Sequence, residues 1–322
     1  MSETAKTAVL LLAHGSPDRP QDVPEFLKHV TGGRPLPAAA VEEIQRRYAR
    51  IGRSPLTEIT VRQAALLARE LKLPVYVGMR NWTPFIADVL QQMSADGVQR
   101  VVALCLAPQN SRTSVGLYRQ AAMTMTEGGP RFQHFEFVEA WHDHPLLIRA
   151  FAEKLGSGWE QACDLLGARV PILFTAHSVP SRTILEGDPY ETQARETAAL
   201  VAMALPALTV EDWSFAFQSQ GQGTSGGPWI GPTVEDTIPA LKKKGHGGVF
   251  LQPIGFVCDH VEVLYDIDVA FHEFAARQGM RLWRAESLND SSTFIAALAD
   301  VVRSRLGSDE PAKPLVQIAK PQ

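Results

Sequence analysis

Two stretches of this chain, about half its length apart, are near-copies of one another: Leu10-Leu11-Leu12-Ala13-His14-Gly15-Ser16-Pro17 and Ile172-Leu173-Phe174-Thr175-Ala176-His177-Ser178-Val179-Pro180. In each, a continuous apolar run stops at Ala-His and passes into small residues, Ser and Pro. A run without polar alternation marks a parallel strand buried on both faces, and Gly, Ser and Pro are the chemistry of turns. The repetition constrains the chain to α/β halves of similar design, each with a histidine where a strand leaves its sheet. Open α/β sheets bind ligands outside the carboxyl ends of their strands. Both histidines are therefore candidate site residues.

The rest of the pattern agrees. Strand-like runs at 8–13, 74–78, 100–106 and 134–139 alternate with helical periodicity at 38–51, 57–71, 83–96 and 114–126. The second half repeats the scheme, with strands at 171–175, 213–217, 248–253 and 281–285 and helices at 188–204, 233–243, 260–277 and 291–306. Alternation of this kind is the mark of βαβ units. The expected fold is α/β, with two similar Rossmann-like domains, each a four-stranded parallel sheet flanked by helices. Residues 1–144 form the first domain, 145–310 the second and 311–322 a tail, with the boundary near Trp141-His142-Asp143-His144-Pro145 and a cleft between the domains. A chain of 322 residues, 45% hydrophobic and 20% charged, is long and apolar enough for two cores. The tail, with Pro and Lys but few aromatics, reads as disordered or loosely docked.

Several classes of function are disfavoured. The net charge is −4, and the longest basic run, Lys242-Lys243-Lys244 before Gly245, reads as a helix C-terminus, so nucleic acid is not an expected partner. Three scattered cysteines, Cys105, Cys163 and Cys258, provide neither a disulfide framework nor a four-cysteine zinc or iron–sulfur site, which fits a reducing cytoplasm. The start Met1-Ser2-Glu3-Thr4 runs straight into a strand without the features of a signal peptide, and no stretch approaches the roughly 18 apolar residues of a membrane span. Gly221-Gln222-Gly223-Thr224-Ser225-Gly226 spells a dinucleotide fingerprint, but Pro228 and Pro232 follow and no helix opens there. It reads instead as a lip of the cleft close to Trp229. The histidines of Trp141-His142-Asp143-His144 read as an interdomain turn before a helix-starting proline rather than a metal cluster.

The richest stretch is Gln252-Pro253-Ile254-Gly255-Phe256-Val257-Cys258-Asp259-His260-Val261-Glu262-Val263-Leu264-Tyr265-Asp266-Ile267-Asp268. Asp259 stands where a helix N-cap would, and Glu262 three residues later completes the spacing of a capping box. A second reading stands beside that one. Glu262 and Asp266 stack four apart, with Glu273 beyond, away from the apolar stripe Val263, Leu264, Ile267, Phe271 and Phe274. Like charges at that spacing destabilise by a few tenths of a kcal/mol unless a cation lies between them. A divalent transition metal takes imidazole nitrogen as well as carboxylate oxygen, and neutral imidazole also accepts protons near pH 7. His177 and Glu262 are thus expected to meet.

Thr175-Ala176-His177-Ser178-Val179-Pro180, Phe217-Gln218-Ser219, Pro228-Trp229-Ile230-Gly231-Pro232-Thr233 and Pro253 to Asp266 resemble, in that order, the signatures of the ferrochelatase family. Ile51-Gly52-Arg53-Ser54-Pro55-Leu56, Gly78-Met79-Arg80-Asn81 and Leu106-Ala107-Pro108-Gln109 add to the match, which runs from about Val9 to about Leu306. The resemblance implies a class II chelatase fold that grips a porphyrin in the cleft and inserts Fe²⁺, with His177 and Glu262 as the metal-binding and proton-accepting pair and Asp266 and Asp268 as an outer path for the cation. It implies no cofactor beyond the substrate Fe²⁺ and no iron–sulfur cluster. The expected partners are the porphyrin and Fe²⁺, with transient contacts to haem-pathway enzymes or a membrane surface.

Similarity to the bacterial coproporphyrin III-type enzymes places Arg47, Tyr48, Ser54 and Tyr118 against the macrocycle or its propionates. Arg34 and Trp229 join them as substrate contacts. Two departures bear on this. Thr31-Gly32 replaces an arginine pair common in those enzymes, which pulls toward protoporphyrin IX, and His14 stands where they often carry a tyrosine ligand. His14 is open to three roles: a ligand of product iron, a metal ligand like that of the sirohydrochlorin chelatases, whose opening Ala13-His14-Gly15-Ser16 resembles, or a hydrogen-bonded turn. The alternatives to a ferrochelatase are a chelatase for another tetrapyrrole and a non-catalytic haem carrier.

Overall fold

The computed structural model describes residues 5–220 and 227–307. The glycine-rich loop 221–226 and the tail 311–322 lie outside the described residues. The chain begins β1 (Thr7–Ala13), α1 (Val23–Val30), α2 (Ala38–Ile51), α3 (Leu56–Leu71), β2 (Val75–Met79), α4 (Ile86–Ala95), β3 (Arg100–Cys105), α5 (Val115–Gly128) and β4 (His134–Val138). Helix α6 (Pro145–Leu166) leads into the second half: β5 (Ile172–His177), α7 (Ser181–Leu185), α8 (Tyr190–Met203), β6 (Trp213–Gln218), α9 (Val234–Lys243) and β7 (Gly248–Pro253). The chain then forms α10 (Val261–Leu264), a π-helical segment Asp266–Phe271, α11 (His272–Arg277), β8 (Arg281–Arg284) and α12 (Ser292–Leu306).

The two sheets have the same plan. Their strand orders are β2-β1-β3-β4 and β6-β5-β7-β8, and all six pairings are parallel. In both, the first strand of the half is flanked by its next two, so the strand order reverses there. The carboxyl ends at such a switch point are where open α/β sheets form a ligand crevice. His14 follows β1 and His177 ends β5, so each histidine sits at the switch point of its own sheet.

The eight strands fall where the apolar runs predict, and α2 spans the expected 38–51. Helices α1, α6 and α7 add to the predicted set. Within α6, Gly156-Ser157-Gly158 reads in sequence as an interruption. In the fold these glycines are close-approach points: a Cβ on Gly158 would lie 2.9 Å from the Phe250 ring, and one on Gly156 would lie 3.3 Å from Leu205.

The halves are not separate bodies. One buried cluster runs from Val9, Leu11 and Leu104 of the first sheet through Trp141 and Phe151 to Phe174, Phe217 and Phe250 of the second. Helix α12 packs on both α6 and α3, returning the end of the chain to the first half. Polar contacts fix that return: Gln63 Nε2 donates to the Asn289 carbonyl at 2.6 Å, and Arg303 reaches Glu70 at 2.7 Å. The interdomain histidines are tied down as well, His142 to Glu196 at 3.0 Å and His144 to Asp300 at 3.1 Å.

The turn that releases His14 demands glycine on two counts. Gly15 has φ of +83°, and a Cβ there would fall 2.9 Å from both Cβ and N of Trp82. Gly15→Ala should therefore lower the unfolding free energy by about 2 kcal/mol or more. Urea denaturation checks this, and an unchanged midpoint would mean that the turn can open without strain.

Candidate active site

The two echoed histidines are held alike and faced differently. The His14 Nδ1 lies 3.1 Å from the Gly15 carbonyl, and the His177 Nδ1 lies 2.5 Å from the Ser178 carbonyl. A carbonyl oxygen only accepts, so each Nδ1 carries the proton and each Nε2 is left for another partner. At His177 that partner is Glu262, with Nε2 to Oε1 at 3.6 Å, while the other Glu262 oxygen is 3.9 Å from the His260 Nε2. At His14 it is the Asn81 side-chain amide at 3.0 Å.

The charges follow from these neighbours. Burial opposes a charge on His177, but the Glu262 carboxylate, the Ser178 carbonyl and Asp266 outweigh it and raise its pKa to about 9. Burial likewise opposes ionised Glu262, yet His177 and His260 hold it down at about 2. At neutral pH the pair is an imidazolium facing a carboxylate. Burial, aided by Arg80, lowers His14 to about 4 and leaves it neutral. Burial also lowers His260 against the pull of Glu262 and Asp259.

Glu262 does not take part in a capping box. Helix α10 begins one residue later than the spacing suggests, so His260 occupies the cap position and makes no side-chain cap bond. The Asp259 carboxylate is taken up from a distant turn: it accepts from Ser287 at 2.8 Å, Asn289 at 2.8 Å and Arg284 at 3.3 Å. Glu262 is thereby left to face His177. The expected acidic face also breaks. The π-helical turn after Tyr265 adds a residue per turn, placing Asp266 inside with Val263, Ile267 and Phe271 while Glu273 turns out toward Arg277 at 4.0 Å. Arg284 holds both oxygens of the exposed Asp268, at 2.5 and 2.9 Å.

The sequence-derived substrate contacts divide. Arg47 reaches from α2 across to Asp266 at 3.3 Å while also holding Glu43 at 3.1 Å, and lies over the Tyr265 ring. Tyr48 is buried, shares a 3.1 Å hydrogen bond with Ser16, and has its phenol pushed up to about 12 by burial. Phe26 packs edge-on to both Tyr48 and His14. Ser54 is buried and accepts the Leu56 N–H. Tyr118 is buried beneath the Arg80 guanidinium, 5.5 Å from its ring centre. Trp229 stands with its ring 6.2 Å from that of His177, and Phe256 flanks the same imidazole. Arg34 is exposed and bonds back to the Thr31 carbonyl in its own loop.

Other residues enter from structure alone. Arg80 and Asn81 follow β2, where their backbone N–H groups donate to the carbonyls of Ala13 and His14 at 3.0 Å each. Ser219, held at φ of +59°, donates to Asp266 at 2.6 Å. Tyr190 steadies the end of β5 by donating to the His177 carbonyl at 2.9 Å. Arg80, Asn81 and Ser219 all lie in the motifs that carry the family resemblance, but spacing alone gives them no role.

A ferrochelatase family model matches residues 6–306. The chain is 51% identical over 326 residues to a ferrochelatase of Acidobacterium capsulatum, covering 96% of this chain and 98% of that one. It is 33% identical over 312 residues to a coproporphyrin III ferrochelatase of a Geobacillus species, covering 94% and 98%. Among solved structures, SirB from Bacillus subtilis with Fe³⁺ aligns at a TM-score of 0.58 over 93% of this chain and 95% of that one, at 10% identity. That likeness shows the chelatase fold alone. Matched from its first strand to its last helix, the chain belongs to the ferrochelatase family, lyases that insert Fe²⁺ into a porphyrin in haem synthesis.

Proposed function

We propose that the protein inserts Fe²⁺ into coproporphyrin III in preference to protoporphyrin IX, with His177 and Glu262 receiving the metal and the pyrrole protons. The observation that carries this reading is the 3.6 Å approach of the His177 Nε2 to Glu262 at the switch point of the second sheet. The next ligating group, the His260 Nε2, lies 3.9 Å from the other Glu262 oxygen, so His177 and Glu262 face one another as the nearer pair. A cation meeting a two-residue site keeps coordination positions open for water and then for pyrrole nitrogens. Both ligands can then let go, as transfer requires.

The resting proton fits this role. His177 is protonated at neutral pH, so an arriving cation displaces a proton and leaves the imidazole neutral. The displaced proton leaves to solvent, and as the metal passes to the ring the freed His177 nitrogen and the Glu262 carboxylate each accept one of the two pyrrole protons. Phe256 and Trp229 flank the imidazole with apolar ring surface against which a macrocycle packs.

The substrate preference is supported by relatives named coproporphyrin III ferrochelatase, which match 93–95% of the chain at 33–34% identity. Arg80, a half-buried guanidinium whose Nε has no hydrogen-bond partner and which has no carboxylate partner among the described residues, bears on binding of either porphyrin. A cation in that state suits a propionate. Asp266 and Asp268 serve as outer steps for the incoming cation. Both carboxylates carry an arginine, Asp266 from Arg47 and the more exposed Asp268 from Arg284, which an arriving cation displaces in turn.

Anaerobic Fe²⁺ insertion followed by absorption, with coproporphyrin III and protoporphyrin IX side by side, tests the reading. Coproporphyrin should turn over faster, and His177→Ala should abolish insertion while leaving porphyrin binding in place. Faster protoporphyrin would overturn the preference, and turnover by His177→Ala would overturn the site.

Glu262→Gln should slow insertion at least 100-fold. It should also lower the His177 pKa from about 9, since burial then acts with only the Ser178 carbonyl and Asp266 against it. Imidazole NMR titration reads that shift. Normal turnover with only a lower melting temperature would return Glu262 to a structural role.

Burial, and then Glu262, raise Asp266 to about 6 against the help of Ser219 and Arg47. A carboxyl whose folded pKa lies above its unfolded value stabilises the fold at low pH, and that contribution is lost as pH rises through the folded value. Asp266→Asn should accordingly slow insertion yet stabilise the protein at pH 8 by about 1–3 kcal/mol, with the gain vanishing below about pH 4. Equal stability at both pH values would contradict this charge assignment.

A further inference from the structure

The first-half histidine carries an inference that rests on the cleft accepting an iron porphyrin and goes beyond it. His14 and His177 share their Nδ1 geometry, so the occupant of Nε2 distinguishes them. Because the Gly15 carbonyl fixes the His14 proton on Nδ1, the neutral Nε2 presents a lone pair, and the group 3.0 Å away must be the donor end of the Asn81 amide. Asn81 is 1% exposed and its backbone N–H is bonded to the His14 carbonyl at 3.0 Å. The amide therefore has little freedom to swing away. An iron ion ligated by His14 would have to approach along the same lone pair, through the space that the amide nitrogen fills.

We propose that Asn81 is a positioning residue that occupies the Nε2 of His14, whose proton the Gly15 carbonyl holds on Nδ1, so that His14 faces the product as a wall of the cleft and does not ligate its iron. The two halves then treat the metal asymmetrically. The His177 side takes it up and gives it to the ring, and the His14 side does not hold the metallated product. An imidazole–iron bond on that side would delay release.

The experiment adds ferric coproporphyrin III to the wild-type protein, His14→Ala, Asn81→Ala and Asn81→Ala/His14→Ala, and reads absorption, electron paramagnetic resonance and product dissociation. His14→Ala alone should leave the spectrum unchanged. Asn81→Ala should produce an imidazole-ligated spectrum with dissociation at least tenfold slower, and the double variant should lose both effects. Asn81→Ser, a smaller change, should show the same effect in weaker form if the alanine variant folds poorly. A wild-type spectrum that changes with His14→Ala, or folded Asn81 variants that leave it unchanged, would overturn the assignment. Nitrogen NMR of His14 in porphyrin-free wild-type protein gives an independent decision: the Nδ1–H tautomer is expected, and the Nε2–H tautomer would sink the proposal. Failure of the wild-type protein to bind the iron porphyrin would instead count against the site reading, which the tautomer measurement does not involve.

Discussion

A carboxylate half-withdrawn from water is opposed by desolvation and gains from a positive partner beside it. Glu262 has that partner in His177, and much of the second half is arranged to keep the two in register. The imidazole is pinned by the Ser178 carbonyl on one nitrogen, and its own carbonyl receives the Tyr190 hydroxyl. Gly255 lets the β7 turn pass against Ala176, where a Cβ would sit 3.1 Å away. Asp259, anchored to Ser287 and Asn289, fixes the start of the segment that delivers Glu262. The candidate site is an ion pair at 3.6 Å supported from several directions by bonds to the surrounding backbone and side chains.

The duplicated plan explains how such a site arises at a strand end. Two sheets of one topology each bring a histidine to the point where strand order reverses, and in each the same backbone carbonyl orients the ring. The chemistry then diverges through one neighbour: a carboxylate in one half, an amide in the other. One imidazole becomes charged and the other stays neutral, although their backbone settings are nearly alike. The fold supplies a symmetric pair of positions, and side chains from outside the strands decide what each can do.

Much of this was legible in sequence, for identifiable reasons. The inner strands β1, β3, β5 and β7 are written as near-continuous apolar runs, and the edge strands β2, β4, β6 and β8 as shorter aromatic and β-branched runs, so all eight were visible along with the two histidines. Helix α6 was obscured because Gly156 and Gly158 look like breaks until Phe250 and Leu205 are packed against them. The capping role expected for Asp259 and Glu262 rested on local spacing, whereas the partners that claim Asp259 lie 28 and 30 residues away. The π-helical turn could not be read from periodicity, because periodicity assumes the very register that the turn breaks. Arg80, Asn81 and Ser219 were silent for a related reason: each acts through one long-range contact and forms no pattern of its own.

Helix α12 has a consequence for how a flat ring could be bent. Because it packs on α3 in the first half and α6 in the second, and because one core runs through both sheets, the two walls of the cleft are fastened together behind it. Walls joined in this way resist spreading. On the function proposed above, a porphyrin held between such walls would be the body that deforms. The work of distortion would then be drawn from contacts along the ring and not from closure of one half upon the other.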